Sequence, residues 1–272
     1  MQPSAFDAML IEKWAGFSGD HNPIHFDREA ARRLGADDVV VHGMIPMVIA
    51  QEHLYQELRE HTARVGWADC KIRLKRPIQK DQPVRLVTRP TSAGVRFSVT
   101  NALGDEQFFL GSFERFTARP MPLPNGPPGE RTVSLPSFSL AASYLRERNT
   151  EFRRVFPEAQ SPWVSFSATL FSEFLTRNLQ RLEATAMSVR TAPRLFAVQT
   201  SYKVGFDERH FDEVFPEVSG EYQCTFAPTR LHVFSDGCTT EGHCRVFHGS
   251  EPVLELGLGL LLKQARSQNV FH

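Results

Sequence analysis

FSGDHNPIHFDREAARRLGADDVVVHGM, residues 17–44, brings acidic, histidine and glycine residues together in one short segment. Gly19 and Pro23 favour an irregular loop in its first part, because glycine tolerates unusual backbone angles and proline lacks a backbone donor. The polar residues of that loop are Asp20, His21, Asn22, His25 and Asp27. Loops held on a rigid scaffold often carry catalytic groups. The segment is therefore a candidate active-site loop.

Asp20 and His25 suit acid–base chemistry, because both can point at one bound water from a turning backbone. A carboxylate accepts a proton, and a histidine can give one near neutral pH. Downstream, Gly43 precedes a predicted helix, whose first N–H groups are unpaired and partly positive. Those groups can polarise a carbonyl oxygen that approaches the glycine. The alternative is structural, with Asp20 capping a turn and His25 hydrogen-bonded in a packed site.

A metal site is a weaker interpretation of the same residue types. His21, His25 and Asp27 offer nitrogen and oxygen ligands, but they show no standard zinc spacing. A second group resembles zinc ligands only superficially: Cys224, Cys238, His243 and Cys244. Its spacing fits no ordinary zinc pattern, and buried free thiols are the usual state of such cysteines. We predict no metal.

The hydrophobic pattern predicts helices followed by strands in residues 1–117. Apolar residues recur near helical spacing in 4–17, 28–35 and 43–60. The period then changes to two, which predicts the strands 65–77, 83–90, 94–101 and 107–117.

Residues 118–137 carry six prolines and separate this unit from the rest of the chain. Proline cannot join a helix or sheet interior, so we interpret this stretch as a surface linker. A proline-rich recognition motif is the alternative. Residues 138–272 repeat the earlier order, with helices predicted at 138–156 and 164–184 and strands at 195–206, 218–227, 230–236, 242–249 and 252–263. The pattern predicts a duplicated α+β unit.

Composition excludes several classes of protein. The chain has 272 residues, 31 basic and 31 acidic side chains and four cysteines. A zero formal charge argues against a nucleic-acid binder, and so few cysteines make no disulfide framework. No apolar run approaches the length of a membrane span, and the N-terminus does not resemble a secretory signal. We expect a cytoplasmic protein with no nucleic-acid or membrane partner.

The motif SGDHNPIHFD at residues 18–27, followed by VVVHGM at 39–44, resembles the signature of MaoC-like (R)-specific enoyl-CoA hydratases, also called hydratase 2. Residues 73–78 and Asp81 resemble the family's next strand and turn, although Lys80 stands where the family usually has glycine. The close resemblance covers residues 5–117. Looser similarity in strand layout continues through the second half.

The resemblance implies a double hot-dog, in which each antiparallel sheet wraps a long central helix. It further implies hydration of trans-2-enoyl thioesters or dehydration of (R)-3-hydroxyacyl thioesters. Asp20 would take a proton from the water that attacks Cβ, and His25 would deliver one to Cα. The N–H of Gly43 would stabilise the enolate oxygen, and Asn22 would hold the loop. No cofactor beyond the carrier, coenzyme A or acyl carrier protein, is implied.

The second half lacks this motif, since the matching helix start reads WVSFS at residues 163–167. We therefore expect one active site per chain, with the second unit forming a wall of the acyl site. The two units would imitate a dimer, and the chain either stands alone or pairs again through a sheet edge. Because the family's first strand has no room before Asp20, the first unit is expected to be trimmed at its edge.

Other residues are candidates for substrate binding. Lys71, Arg73 and Lys75 alternate with apolar residues, so in a strand they share one face. These cations contact the phosphates of coenzyme A or the acidic surface of an acyl carrier protein. The alternative is that they face only solvent. His42 and Met44 flank the glycine at the predicted helix start. A phenylalanine stripe on the second central helix lines an acyl tunnel or belongs to the core: Phe166, Phe171 and Phe174.

Two other functions compete with hydration. A hot-dog thioesterase also needs a carboxylate and an activated water, but it would release free thiol. A non-catalytic acyl-binding partner subunit would not need the Asp20–His25 pair.

Overall fold

Helices come first and strands follow in the first half of the chain, as the hydrophobic pattern predicts. The structure, a computed structural model, describes residues 5–33, 35–61, 66–119, 131–187, 195–215, 219–227, 229–234 and 237–264. The helices of the first half are α1 (Ala8–Ser18), α2 (Arg28–Arg33) and α3 (Met44–His61). Its strands are β1 (Trp67–Leu74), β2 (Val84–Thr91), β3 (Gly94–Asn101) and β4 (Gln107–Phe116).

The second half has the same order with additional strands. Two short strands come first, β5 (Arg131–Val133) and β6 (Phe138–Ala141), and then the helices α4 (Ala142–Val155) and α5 (Pro162–Met187). Long strands follow: β7 (Leu195–Asp207), β8 (Glu221–Phe226), β9 (Thr229–Phe234), β10 (Gly237–His248) and β11 (Glu251–Gln264).

All these strands form one antiparallel sheet of eleven strands, in the order β2-β3-β4-β1-β7-β11-β10-β8-β6, while β9 pairs with β10 and β5. The two halves meet where β1 pairs with β7, and Lys71 lies directly opposite Lys203. Equivalent strands of the two units therefore form the joint, as they would across the axis of a dimer. The double hot-dog expectation is confirmed.

Each half wraps its sheet around its long helix, α3 or α5. On α3 the buried Tyr55 packs on Phe113 of β4, with ring centroids 6.1 Å apart. On α5 the buried Trp163 stacks on Phe206 of β7 at 4.2 Å. Tyr55 also meets Trp163 edge to face at 5.6 Å, so the two helices share one core.

A carboxylate from one central helix also caps the other. Glu52 of α3 accepts hydrogen bonds from the backbone N–H groups of Gln160 and Ser161, at 3.0 and 3.1 Å. The Ser161 hydroxyl donates to the same carboxylate at 3.0 Å. Unpaired N–H groups at a helix start favour a negative partner, so this contact fixes the start of α5 against the first half.

Two predictions about the start of the second half need correction. Residues 138–141 form β6 and not the first turn of a helix. Arg131–Val133 pairs with β9 at an edge of the sheet, so the predicted linker 118–137 forms a short edge strand at these three residues. Proline is absent from those three positions, so their backbone donors remain free to pair. Residues 120–130 of the predicted linker lie outside the described residues.

β6 provides an edge strand ahead of the helices in the second half, whereas from residue 5 to α1 the first half has none. No helix in the described part of the chain is both long and apolar enough to cross a membrane.

Candidate active site

Side-chain caps shape the loop after α1. Gly19 has a φ of 72° and ends the helix in the left-handed conformation. The Ser18 hydroxyl accepts from the N–H of Asp20 at 3.2 Å, and Asp20 Oδ1 accepts from the N–H of Asn22 at 3.2 Å. Asn22 caps the next helical turn, Pro23–His25. Small polar residues therefore replace the hydrogen bonds of a regular element, and this is why the loop was predictable from sequence.

The second half of the chain holds this loop in place. Asn22 Nδ2 donates to the carbonyl of Ala197 in β7 at 2.8 Å. On α5, the Ser172 hydroxyl donates to the carbonyl of Ser18 at 2.9 Å. Arg148 of α4 donates to the carbonyl of Phe17, the residue before Ser18. The loop position thus depends on residues far away in sequence, which no motif predicts.

His25 faces Asp20 across a gap that suits one water. His25 Nδ1 lies 2.7 Å from the carbonyl of Val40, so Nδ1 carries the proton that this bond needs and Nε2 is left as an acceptor. Nε2 lies 3.9 Å from Asp20 Oδ2, which exceeds a direct hydrogen bond. Burial lowers the pKa of His25, although the nearby charge of Asp20 raises it.

His42 supports both members of this pair. Its ring stacks on that of His25 with centroids 3.6 Å apart, and its Nε2 donates to the backbone carbonyl of Asp20 at 2.9 Å. Burial, and secondarily the charge of His25, lowers the pKa of His42 to about 3. His42 therefore stays neutral and positions its neighbours.

Gly43 stands directly before α3, where its backbone is open to a ligand. A side chain there would meet Leu74 Cδ2 at 2.9 Å and Gln199 Oε1 at 3.1 Å. The carbonyl of His42 accepts from the N–H of Ile45 at 3.0 Å, which leaves the earlier N–H groups pointing out of the helix start. Only glycine fits this position without displacing a neighbour.

A cavity of about 950 Å³ joins these groups and is lined by both halves of the chain. Asp20, Asn22, His25, His42, Gly43 and Met44 all line it. The opposite wall comes from α5 and from β7, including Phe171, Leu175, Leu179 and Gln199. Sequence reasoning missed Gln199, because no motif or periodicity distinguishes it.

Of the three cations predicted to bind the carrier, only Lys75 lines the cavity. Arg76, the next residue, lines it too. Lys71 lies 3.8 Å from both Asp69 and Glu114, and it does not line the cavity. Arg73 is exposed on the same strand face and is not a lining residue either.

Only one member of the phenylalanine stripe reaches the cavity, Phe171. Phe166 packs edge to face on Phe211 and Tyr222 inside the second unit. Phe174 packs on Phe226 at 6.0 Å. Phe166 and Phe171 are five residues apart and therefore point about 140° apart around the helix.

Potential metal ligands among the described residues are Asp20, His25 and His42, whose ligand atoms lie within 4.8 Å of one another. Stacked imidazoles direct their in-plane lone pairs along nearly parallel planes, so the two rings converge poorly on a single ion. Of the residues weighed from sequence, Asp27 instead caps α2 by accepting from the N–H of Glu29 at 2.7 Å. The cysteines weighed with His243 are buried free thiols.

Comparison with known proteins agrees with this architecture. Residues 3–99 match the family model described as MaoC like domain. No curated protein matches the chain significantly. A conserved hypothetical protein from Mycobacterium tuberculosis, described as having a double hotdogfold, is 11% identical with a TM-score of 0.54, over 96% of this chain and 93% of that one.

Two further solved structures are similar over nearly the whole chain. A putative MaoC domain protein dehydratase from Chloroflexus aurantiacus is 11% identical with a TM-score of 0.53, over 98% of this chain and 94% of that one. A protein described as a MaoC-like dehydratase is 11% identical with a TM-score of 0.52, over 97% and 96%. At such identities the likeness shows the fold. Residues 3–99 thus match the model of the MaoC-like domain, and the chain as a whole has a double hot-dog fold.

Proposed function

We propose that the chain is a hydro-lyase that adds water to trans-2-enoyl thioesters and removes it from (R)-3-hydroxyacyl thioesters. The observation that carries this proposal is the Asp20–His25 pair, with facing atoms 3.9 Å apart in the wall of a cavity that also holds the start of α3. Hydration at Cβ needs a base for water, an acid for Cα and a site for the enolate oxygen. The candidates for these three roles, Asp20, His25 and the N–H of Gly43, line one cavity.

In this proposal the attacking water lies between Asp20 and His25. Nε2 of His25 accepts a hydrogen bond from the water, because Nδ1 donates to the carbonyl of Val40. The carboxylate of Asp20 accepts the second hydrogen bond of the water. With both protons held, a lone pair of the water is free to attack Cβ. Because the pKa of His25 is lowered, Nε2 carries no proton at neutral pH, so the proton that reaches Cα originates from the water.

The step is balanced in atoms and electrons. As the water oxygen bonds to Cβ, the electron pair of the double bond moves toward the carbonyl and forms an enolate. One water proton passes to the Asp20–His25 pair. The N–H of Gly43 stabilises the enolate oxygen, whose electrons then return to Cα as Cα takes the proton from the pair. Dehydration follows the same path in reverse.

The cavity entrance supports an anionic carrier. Lys75 is exposed and lines the cavity, next to Arg76. Lys75 suits a phosphate of the pantetheine arm, which coenzyme A and acyl carrier protein share, whereas Arg76 is paired with Glu106 at 3.0 Å. Lys71 is engaged by acidic neighbours, so its assignment to carrier binding is less favoured by the geometry than that of Lys75.

Purified chain should be incubated with short-, medium- and long-chain trans-2-enoyl-CoAs, following the conjugated absorbance and the product stereochemistry. We expect an (R)-3-hydroxyacyl product. Asp20→Asn and His25→Gln should each lower turnover at least about a hundredfold, the scale of a positioned acid or base. The exposed Asp37 provides a matched control, and Asp37→Asn should retain full turnover.

A parallel assay for free thiol separates hydration from thioester cleavage. Thiol release without hydration would overturn the proposal in favour of a thioesterase. Near-normal hydration by Asp20→Asn would overturn the site assignment. Tight acyl-CoA binding without turnover, on coenzyme A or acyl carrier protein, would support the non-catalytic alternative.

A further inference from the structure

A β-bulge in β7 turns Gln199 toward the active-site cavity. Ser201 pairs with Gly259 of β11, but the next pair is Gln199 with Leu260, which leaves Thr200 as an extra residue. In a regular strand Gln199 would face the same side as Ser201, because side chains alternate. After the bulge it shares the inward side of Leu260, which is buried. Bulges next to active sites often re-aim a side chain in this way.

The re-aimed carboxamide lies against the helix start that would hold the enolate oxygen. Its Oε1 is 3.1 Å from the position a Cβ of Gly43 would take, and both residues line the cavity. Its Nε2 donates to Met44 Sδ at 3.7 Å. A thioether is a weak acceptor, so this contact leaves most of the donor capacity of the amide unused.

Half a turn about the terminal bond of Gln199 exchanges Oε1 and Nε2 and presents the NH₂ group to Gly43. An oxygen bound by the N–H of Gly43 would then lie beside a second donor. Resting on the proposed function, we propose that the Gln199 side chain donates a second hydrogen bond to the thioester oxygen. The motif-less half of the chain would then supply a catalytic residue to the motif-bearing half.

Gln199→Met tests this, because it keeps the length of the side chain and removes the donor. Removing one donor from an oxyanion site costs about 10² to 10³ in kcat. We expect kcat to fall about a hundredfold while KM changes less than about threefold, since the bond strengthens as charge develops on the oxygen. The exposed Gln223 on β8 provides a matched control, and Gln223→Met should leave both constants unchanged.

Gln199→Glu adds a readout that a packing role would not produce. At neutral pH a carboxylate would repel the enolate oxygen, so we expect a larger loss than in Gln199→Met. As the pH falls through the pKa of the new carboxyl, its protonated form can donate again, and the relative activity of the variant should rise. A variant that is equally impaired at every pH would overturn the proposal.

Infrared spectroscopy separates this proposal from the proposed function. Butyryl-CoA labelled with ¹³C at the carbonyl is saturated, so it reports on polarisation without turnover. We expect the bound carbonyl band to lie at lower wavenumber than in solution, with a smaller shift in Gln199→Met than in the wild type or Gln223→Met. Equal shifts, or hydration by Gln199→Met at the wild-type kcat, would overturn the role of Gln199 and leave hydration standing. If the wild type hydrates no enoyl thioester, the proposed function fails, and the Gln199-dependent shift alone then decides whether this amide binds the carbonyl.

Discussion

The imidazole ring of His42 lies 3.6 Å from that of His25, with an angle of 24° between the two planes. Two protonated rings at that distance would repel strongly in a buried site. The pKa of His42, lowered to about 3 by burial, avoids this conflict. His42 therefore offers His25 a flat, uncharged surface while its Nε2 holds the backbone of Asp20.

The first prediction concerns stability in acid. Unfolded His42 binds a proton near its ordinary pKa of 6.5, whereas folded His42 binds one only near 3. Between these values the unfolded state holds more protons, so lowering the pH destabilises the fold, by up to about 1.4 kcal/mol per pH unit for this one group. Urea unfolding at several pH values measures the slope.

His42→Gln keeps an N–H donor for the Asp20 carbonyl and removes the titration. The variant should therefore lose less stability than the wild type between pH 6.5 and about pH 4. His25 and His210 also have lowered pKa values because of burial, so some slope should remain. His53→Gln, at an exposed residue of α3, provides the control, and its stability curve should run parallel to that of the wild type. Parallel curves for wild type and His42→Gln would contradict the prediction.

The second prediction concerns the pH dependence of turnover. In the proposed mechanism, His25 must accept a hydrogen bond from water, so its protonation in acid should reduce kcat/KM. Because burial lowers its pKa, this decline should lie below pH 6.5, the ordinary value for histidine. Initial rates of enoyl-CoA hydration from pH 5 to 8 measure it. A decline centred at or above 6.5 would show that His25 is not desolvated as the structure indicates.

The third prediction concerns Gly43. In Gly43→Ala the new methyl would meet the ends of the Leu74 and Gln199 side chains, which can move, so the fold should survive. The oxyanion site should shift instead, and turnover should fall by about a hundredfold, the scale of a misplacement near 1 Å. Gly16 of α1 has no atom within 4 Å of an added Cβ, so Gly16→Ala should retain turnover and stabilise the helix by up to about 1 kcal/mol. Equal turnover in the two variants would contradict this assignment.

The fourth prediction concerns the joint between the central helices. Glu52→Ala would leave the buried N–H of Ser161 without its carboxylate acceptor. Leaving a buried donor unsatisfied costs about 1–3 kcal/mol, measured as the free energy of unfolding. The exposed Glu57 on the same helix is the control, and Glu57→Ala should cost less than about 0.5 kcal/mol. Similar losses in both variants would show that Glu52 does not support the start of α5.

Local signals in the sequence were sufficient for much of the fold and for the centre of the candidate site. The loop around Asp20 is built from side-chain caps between near neighbours, so its residues predict it directly. The alternation around Ile72 likewise predicted which side chains of β1 face the core, and Ile72 is buried. Both features depend on contacts within a few residues.

What could not be predicted depends on contacts distant in sequence. From the sequence, Lys71 is a plausible ligand for the carrier, but in the folded chain β4 places Glu114 beside it. Arg131–Val133 becomes a strand only because β9 offers an unpaired edge. The inward turn of Gln199 arises from an extra residue in the pairing of two strands, and a period-two pattern assigns that residue to the wrong side.

The β1–β7 joint lies within a single chain, so the two halves that build the cavity are always present in equal number. An active site shared between separate subunits is lost on dilution, since dissociation becomes favourable as protein concentration falls. Here the effective concentration of one half near the other is set by the covalent connection. Specific activity should therefore remain constant down to the lowest concentrations at which the protein can be assayed.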